Sequence, residues 1–163
     1  SCNNKVKLFN SNTPKVGEIN DLEWRRRRIA NWAVYGEFAG AAWYYSVNIE
    51  NLFESKEMHM FTGRIGIGVL PGESGTEINI PAMLNFLFGY KNHFAFGLGA
   101  DFKMNNDGSQ IYPIGDIGYR HQNPKGGIMY RVSVNVHFPR KEVAGVEDYV
   151  FEPWAGCGFG WAW

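Results

Sequence analysis

The chain is poor in cysteine, carries no excess charge of either sign and lacks a long hydrophobic run. Two Cys residues among 163 are too few for a disulfide scaffold. Sixteen basic and sixteen acidic residues give a net charge of zero, so there is no electrostatic footprint for a nucleic-acid partner. The longest stretch without a charged residue, 78–90, has 13 positions. This is too short for a membrane-spanning helix, which needs about 20 apolar residues.

The sequence also lacks the spacings that metal, nucleotide and nucleophilic sites require. Its four His residues are scattered, with no zinc-type grouping with Cys. The glycines of 63–68 lie inside a predicted strand with no helix after them, which excludes a phosphate loop. Ser133 and His137 share a strand face, but four residues of strand separate them by roughly 13 Å, too far for a catalytic dyad. We therefore predict no catalytic residue, no metal site and no cofactor.

What the chain has in abundance is aromatic rings and glycine, with 16% aromatic residues and 20 Gly. After residue 31, bulky apolar side chains alternate with small or polar ones, which is the periodicity of a β-strand. Eight such segments are predicted, at 32–40, 42–54, 58–70, 77–91, 93–104, 110–122, 127–139 and 150–163.

The bulk of the apolar rows decides which face points outward. The interior of an eight-stranded barrel is only just wide enough for side chains, and rows of Phe, Tyr and Trp would overpack it. The opposite faces carry glycines and single charges, which suit a narrow polar lumen. The predicted fold class is therefore all-β, an eight-stranded antiparallel up-and-down transmembrane β-barrel with a filled polar lumen. Residues 1–31 are predicted to form a periplasmic N-terminal tail and residues 32–163 the outer-membrane barrel.

The connections between segments predict the orientation. Short turns at 55–57, 92 and 123–126 alternate with longer polar loops at 71–76, 105–109 and 140–149, apart from a tight link at 40–41. Short turns on one side and long loops on the other are typical of outer-membrane barrels, and an even strand number places both termini in the periplasm. Most Trp and several Tyr fall near strand ends, as expected of interfacial aromatic girdles; they are Trp24, Trp32, Trp43, Tyr90, Tyr119, Tyr130, Trp154, Trp161 and Trp163.

Charged residues on the inward faces predict a network of ion pairs, because charges in a narrow lumen are tolerable only when paired. The members of this network are Glu37, Glu50, Arg64, Asp116, Arg120, Arg131 and Glu152. Glu50 is expected directly opposite Arg64 on the neighbouring strand, where the two form a cross-strand ion pair, and Asp116 is expected within a diagonal step of Arg131. Lys91, Asp101 and His137 are expected on the same inward faces. The favoured interpretation is a salt-bridged plug, with a solute pathway as the alternative.

The last six residues carry the most specific motif. Gly158, Trp161 and Trp163 are spaced as a glycine, two residues, an aromatic, one residue and a terminal aromatic. This spacing resembles the C-terminal β-signal by which bacterial outer-membrane barrels are delivered to the barrel-assembly machinery. The stretch 35–50 and the turn 89–93 resemble a group of small, largely uncharacterised outer-membrane barrel proteins with OmpA/OmpX-like architecture. The resemblance covers residues 32–163 and departs from the usual pattern in ending on Trp instead of Phe.

The N-terminal tail has two features of its own. Its start, Ser1-Cys2-Asn3, lacks both Met and an apolar leader, which predicts a mature exported product, with lipidation of Cys2 as a minor alternative. The basic run of Arg25, Arg26, Arg27 and Arg28 is expected either to meet lipid phosphates at the periplasmic rim or to be solvated and paired with acidic residues of the tail.

These features predict an integral protein of the bacterial outer membrane. We expect a non-enzymatic structural or interaction subunit of a larger outer-membrane complex. A polar tail of about 30 residues has no core of its own, so it becomes ordered only against a partner or against its own barrel. The expected partners are outer-membrane lipid, the barrel-assembly machinery during insertion and other envelope proteins, but no nucleic acid. The alternatives are a lipid-modifying enzyme and a small-solute or ligand-binding barrel.

Overall fold

A computed structural model describes residues 30–56, 58–72, 75–106, 108–143 and 146–163. Cys2, Trp24 and the run from Arg25 to Arg28 lie outside the described residues. The described ranges contain no helix that is long and apolar enough to span a membrane. They consist almost entirely of β-strands and the turns between them.

Eight long strands close into one antiparallel barrel, and two short strands form a separate hairpin. The strands are β1 Trp32–Gly40, β2 Trp43–Lys56, β3 His59–Gly72, β4 Gly75–Gly89, β5 Asn92–Asn105, β6 Gly108–Gln122, β7 Gly127–His137, β8 Arg140–Val143, β9 Val146–Tyr149 and β10 Glu152–Ala162. The order around the barrel is β1-β10-β7-β6-β5-β4-β3-β2, and the pairing of β1 with β10 closes it. The predicted all-β, eight-stranded antiparallel up-and-down barrel is confirmed.

The two faces of the strands differ as the alternation predicts. Outward side chains such as Val47, Leu98 and Phe159 are 60%, 75% and 64% exposed. Inward polar side chains such as Asn48 and Arg64 are 0% and 3% exposed. A water-soluble barrel has the opposite distribution, whereas a transmembrane barrel carries an apolar outer band around a polar interior.

Two expected loops are continuations of the strands instead. The β3–β4 ladder runs to the pair Gly72 and Gly75, and the β5–β6 ladder to Asn105 and Gly108. The prediction of long loops at 71–76 and 105–109 is therefore wrong. Polar residues at these positions do not end a strand, since an antiparallel ladder satisfies the backbone groups whatever the side chains are.

The remaining long connection, 140–149, is a hairpin of its own. Its strands β8 and β9 pair with each other from Arg140 and Tyr149 onward, apart from the barrel sheet. At the other extreme, β1 and β2 are joined by the tight turn at Ala41 and Ala42. The end of the barrel with these connections, opposite the two ends of the barrel chain, is called the mouth below.

The two residues that precede β1 already form backbone hydrogen bonds with other parts of the barrel. The amide of Ala30 donates to the carbonyl of Pro124 at 2.8 Å, and the carbonyl of Asn31 accepts from the amide of Leu52 at 2.8 Å.

Lys91, expected in the lumen, lies exposed in the turn that follows β4, because β4 ends at Gly89, where a φ of 137° turns the chain.

Candidate functional site

Six of the charged residues expected in the lumen meet in its middle. All six are at most 6% exposed, and they comprise three carboxylates and three guanidinium groups; they are Glu37, Glu50, Asp116, Arg64, Arg120 and Arg131. The numbers of opposite charges match, so attraction between them offsets part of the desolvation penalty of burying them.

Asp116 is the point at which two of the arginines converge. Its Oδ2 accepts from Nη2 of Arg131 at 2.6 Å and from Nη2 of Arg64 at 3.1 Å. The same two guanidinium groups donate from Nη1 to the hydroxyl of Tyr35, each at 3.1 Å. Tyr35 in turn donates to Oε2 of Glu50 at 3.3 Å. Side chains from five strands are thereby joined into one hydrogen-bonded plug.

Glu50 lies directly opposite Arg64 in the β2–β3 register, as the sequence predicts. Its ion-pair partner, however, is Arg120, whose Nη1 lies 2.6 Å from Oε1 of Glu50. The hydroxyl of Thr62 donates to the same oxygen at 2.5 Å. Arg64 instead reaches across the lumen to Asp116 and Glu37, because the barrel is narrow enough for a guanidinium group to span it.

Glu37 links the plug to the mouth of the barrel. Its Oε1 accepts from Nη1 of Arg64 at 3.5 Å, and its Oε2 from the backbone amide of Ala41 at 3.3 Å. A Cβ on Gly40 would collide with the carboxylate of Glu37. The tight β1–β2 turn therefore depends on a glycine beside a buried acid.

Glu152 does not join the network that the sequence assigns to it. It is the first residue of β10, so it sits at the mouth, where it pairs with Lys141 of the hairpin. Asp101, also predicted inward, is fully buried and accepts from the hydroxyl of Tyr112 at 2.7 Å.

Two tryptophans expected in the interfacial girdles lie over the lumen. Trp43 has a φ of 69°, a conformation that a bulky side chain rarely adopts, and its ring stacks on the buried His137 at 4.4 Å between ring centroids. Its indole N–H donates to the hydroxyl of Tyr112 at 2.8 Å. Trp154 packs edge-on against Trp43 at 5.6 Å. The girdle prediction is wrong for these two, because the turn rotates Trp43 inward and Trp154 has inward parity on β10.

These rings form one side of a cavity at the mouth, which we call the vestibule. It has a volume of about 710 Å³. The ion pair of Lys103 and Glu77, at 2.6 Å, and that of Lys141 and Glu152 also lie on its wall. Sequence reasoning missed this site, since its lining residues come from six barrel strands and the hairpin, and strand alternation does not predict the inward placement of Trp43.

Two residues of the predicted assembly signal, Trp161 and Trp163, lie at the end of the barrel with the termini, whereas Gly158 lies opposite Glu37 and Arg131 at the level of the plug. Gly158 faces the lumen, where its missing side chain leaves space beside Arg131. Trp161 and Trp163 are more than half exposed on the outer surface. The backbones of Trp163 and Trp32 exchange two hydrogen bonds, at 2.9 and 3.0 Å, which close the barrel at this end.

Ser133 and His137, the pair considered for catalysis in the sequence analysis, lie four residues apart on β7. Ser133 and His137 are both buried on β7, and the Ser133 hydroxyl oxygen accepts from Nδ2 of Asn135 at 3.3 Å. Among the described residues, no three His, Cys, Asp or Glu side chains are grouped to hold a metal ion.

No protein-family model matches the chain, and no curated protein does. Among solved structures, the chain is similar to the N-terminal β-barrel domain of Pseudomonas aeruginosa OprF. The two share 12% sequence identity with a TM-score of 0.49, and the match covers 81% of this chain and 95% of that one.

Proposed function

We propose that the chain is an integral outer-membrane β-barrel with a plugged lumen, which acts as a non-enzymatic structural or interaction subunit of a larger envelope complex. The observation that carries this proposal is that the outer surface is apolar while the charges of the interior neutralise one another. The outer surface matches lipid. The six charged side chains of the plug bind one another, which supports a structural role for the middle of the barrel.

The outer wall offers a place for a partner. A groove of about 660 Å³ runs over β1, β2, β3 and β10, and its lining includes Gly36 and the rings of Phe38, Tyr45 and Phe159. Small residues on a lipid-facing surface allow another transmembrane segment to approach the backbone closely. We assign the contact with envelope proteins to this wall and to the periplasmic tail.

The subunit role is tested by placing a photo-crosslinking amino acid at Phe38 and, in a matched control, at Leu98. Both side chains point outward, but β1 and β5 lie on opposite sides of the barrel. The full chain is crosslinked in native membranes and purified in mild detergent. We expect a discrete protein adduct from position 38 and lipid adducts alone from position 98.

A lone 18.5 kDa species from both positions, with no protein co-purifying, would contradict the subunit role. It would leave the membrane barrel itself intact, because insertion into the membrane does not depend on a partner.

A further inference from the structure

We propose that the vestibule binds a saccharide, with Trp154 and Trp43 as the stacking surface and the ion-paired side chains on its wall as hydrogen-bonding groups. Such a site goes beyond the subunit role, since a barrel with or without protein partners could carry it. A pyranose ring has apolar C–H faces and a rim of hydroxyl groups. It therefore requires a wall that is aromatic on one side and polar on the other.

The size and depth of the vestibule fit a small ligand. Its volume of about 710 Å³ lies within the range of roughly 300–1,000 Å³ that is usual for such sites. Tyr112, which is 1% exposed, lies at its inner end. Below it, the hydrogen bond to Asp101 and then the ion-pair plug occupy the lumen. The vestibule is thus a blind cavity instead of the entrance to a pore.

The aromatic side of the vestibule is rigid before any ligand arrives. Trp43 is fixed by its stacking on His137 and by its hydrogen bond to Tyr112. Trp154 is packed edge-on between Trp43 and Tyr44, at 5.6 and 5.8 Å. Backbone strain of the kind seen at Trp43 persists only where the surroundings enforce it, and it concentrates at ligand sites. A prearranged stacking surface lowers the entropic cost of binding.

The polar side of the vestibule, which Gln110 and Arg140 also line, offers hydrogen-bonding groups to a ligand rich in hydroxyl groups. Its two acids, Glu77 and Glu152, are each paired with a lysine, Lys103 and Lys141. Paired carboxylate and ammonium groups at the mouth keep hydrogen-bonding capacity for hydroxyl groups while their net charge cancels.

Two sources could supply the saccharide: the sugars of lipopolysaccharide in the outer leaflet, and a soluble glycan. The experiment uses three probes on the full chain in detergent micelles, by isothermal titration calorimetry. They are the core oligosaccharide released from lipopolysaccharide, maltohexaose, and lipid A without the core oligosaccharide. Binding of the core oligosaccharide points to the first source and binding of maltohexaose to the second, and either result supports the site.

The variant Trp154→Leu is expected to weaken saccharide binding about tenfold or more, because a central aromatic side chain carries much of the affinity of such a site. The matched control is Phe159→Leu, which replaces a lipid-facing ring on the same strand and should leave the affinity unchanged. Lys103→Gln alters only a half-exposed ion pair and keeps the test valid if Trp154→Leu fails to fold; it should weaken binding several-fold.

Three results would overturn the saccharide site. These are no binding of either saccharide, equal affinity in the wild type and both vestibule variants, and binding of lipid A alone with the same affinity in all variants. The last result would place the ligand on the outer wall.

Discussion

At the scale of single residues, Asp116 is the acid of the plug that lies closest to two arginines, at 2.6 and 3.1 Å. Arg64 and Arg131 both donate to its Oδ2, and all three side chains are buried. A buried guanidinium group that loses its carboxylate stays desolvated without compensation, which is more costly than losing a pair on the surface.

We therefore expect Asp116→Asn to lower the free energy of unfolding by about 3–5 kcal/mol. The control is Lys103→Gln, whose pair with Glu77 is partly exposed and should contribute at most about 1 kcal/mol. Urea unfolding of the full chain in micelles, followed by tryptophan fluorescence, measures both. Equal losses in the two variants would mean that the plug adds no more to stability than a surface pair does.

The charged residues of the plug show which contacts could be predicted from the sequence and which could not. Strand alternation placed Glu50 opposite Arg64 correctly, because register follows from a short turn. The ion pair predicted between these two residues is wrong, since an arginine in a narrow barrel can reach acids on more distant strands, as Arg64 reaches Asp116. Strand alternation also failed to predict the inward position of Trp43, because this position depends on a φ of 69° at the start of β2.

At the scale of strands, glycine decides how closely neighbours can pack inside the lumen. A Cβ on Gly99 would meet the carbonyl oxygen of Ala82 and lie 2.7 Å from the Cα of Met83. These are backbone atoms, which cannot move aside without shifting β4. Gly115 lies on the next strand but faces outward, and its nearest neighbours would be 3.6 Å away.

The pair gives a test in which the same substitution is made on opposite faces. Gly99→Ala should destabilise the barrel by about 1–3 kcal/mol through overpacking, whereas Gly115→Ala should change stability by less than about 0.5 kcal/mol. Urea midpoints in micelles report both. Similar midpoints for the two variants would contradict this prediction, because β4 and β5 would then accommodate the added methyl group of Gly99→Ala without loss of stability.

The alternation of residues predicted eight barrel strands at nearly the observed positions, because it records which face meets lipid. It did not predict the hairpin of β8 and β9, or the continuation of the ladders to Gly72 and Asn105. Beyond the apolar band both faces of a strand meet water, so the alternation disappears while the backbone pairing continues.

At the scale of the whole molecule, the distribution of apolar side chains makes the outer surface of the barrel a lipid-facing one. Cys157 is a natural probe of that surface. It lies exposed on β10, and its neighbours in the ladder, Phe38 and Val132, also point outward and are half exposed. If the barrel spans a membrane, this thiol lies among acyl chains.

In a Cys2→Ser variant, Cys157 can be labelled with bimane in the unfolded state and the chain then folded into vesicles. We expect nitroxide groups on the lipid acyl chains to quench the label and aqueous iodide to leave it bright, because an anion does not enter the hydrocarbon region. The control moves the single cysteine to Lys91 in the exposed turn after β4, where the order of quenching should reverse. Efficient iodide quenching at both positions would mean that the apolar wall faces water, and the membrane assignment would then fail for the barrel as a whole.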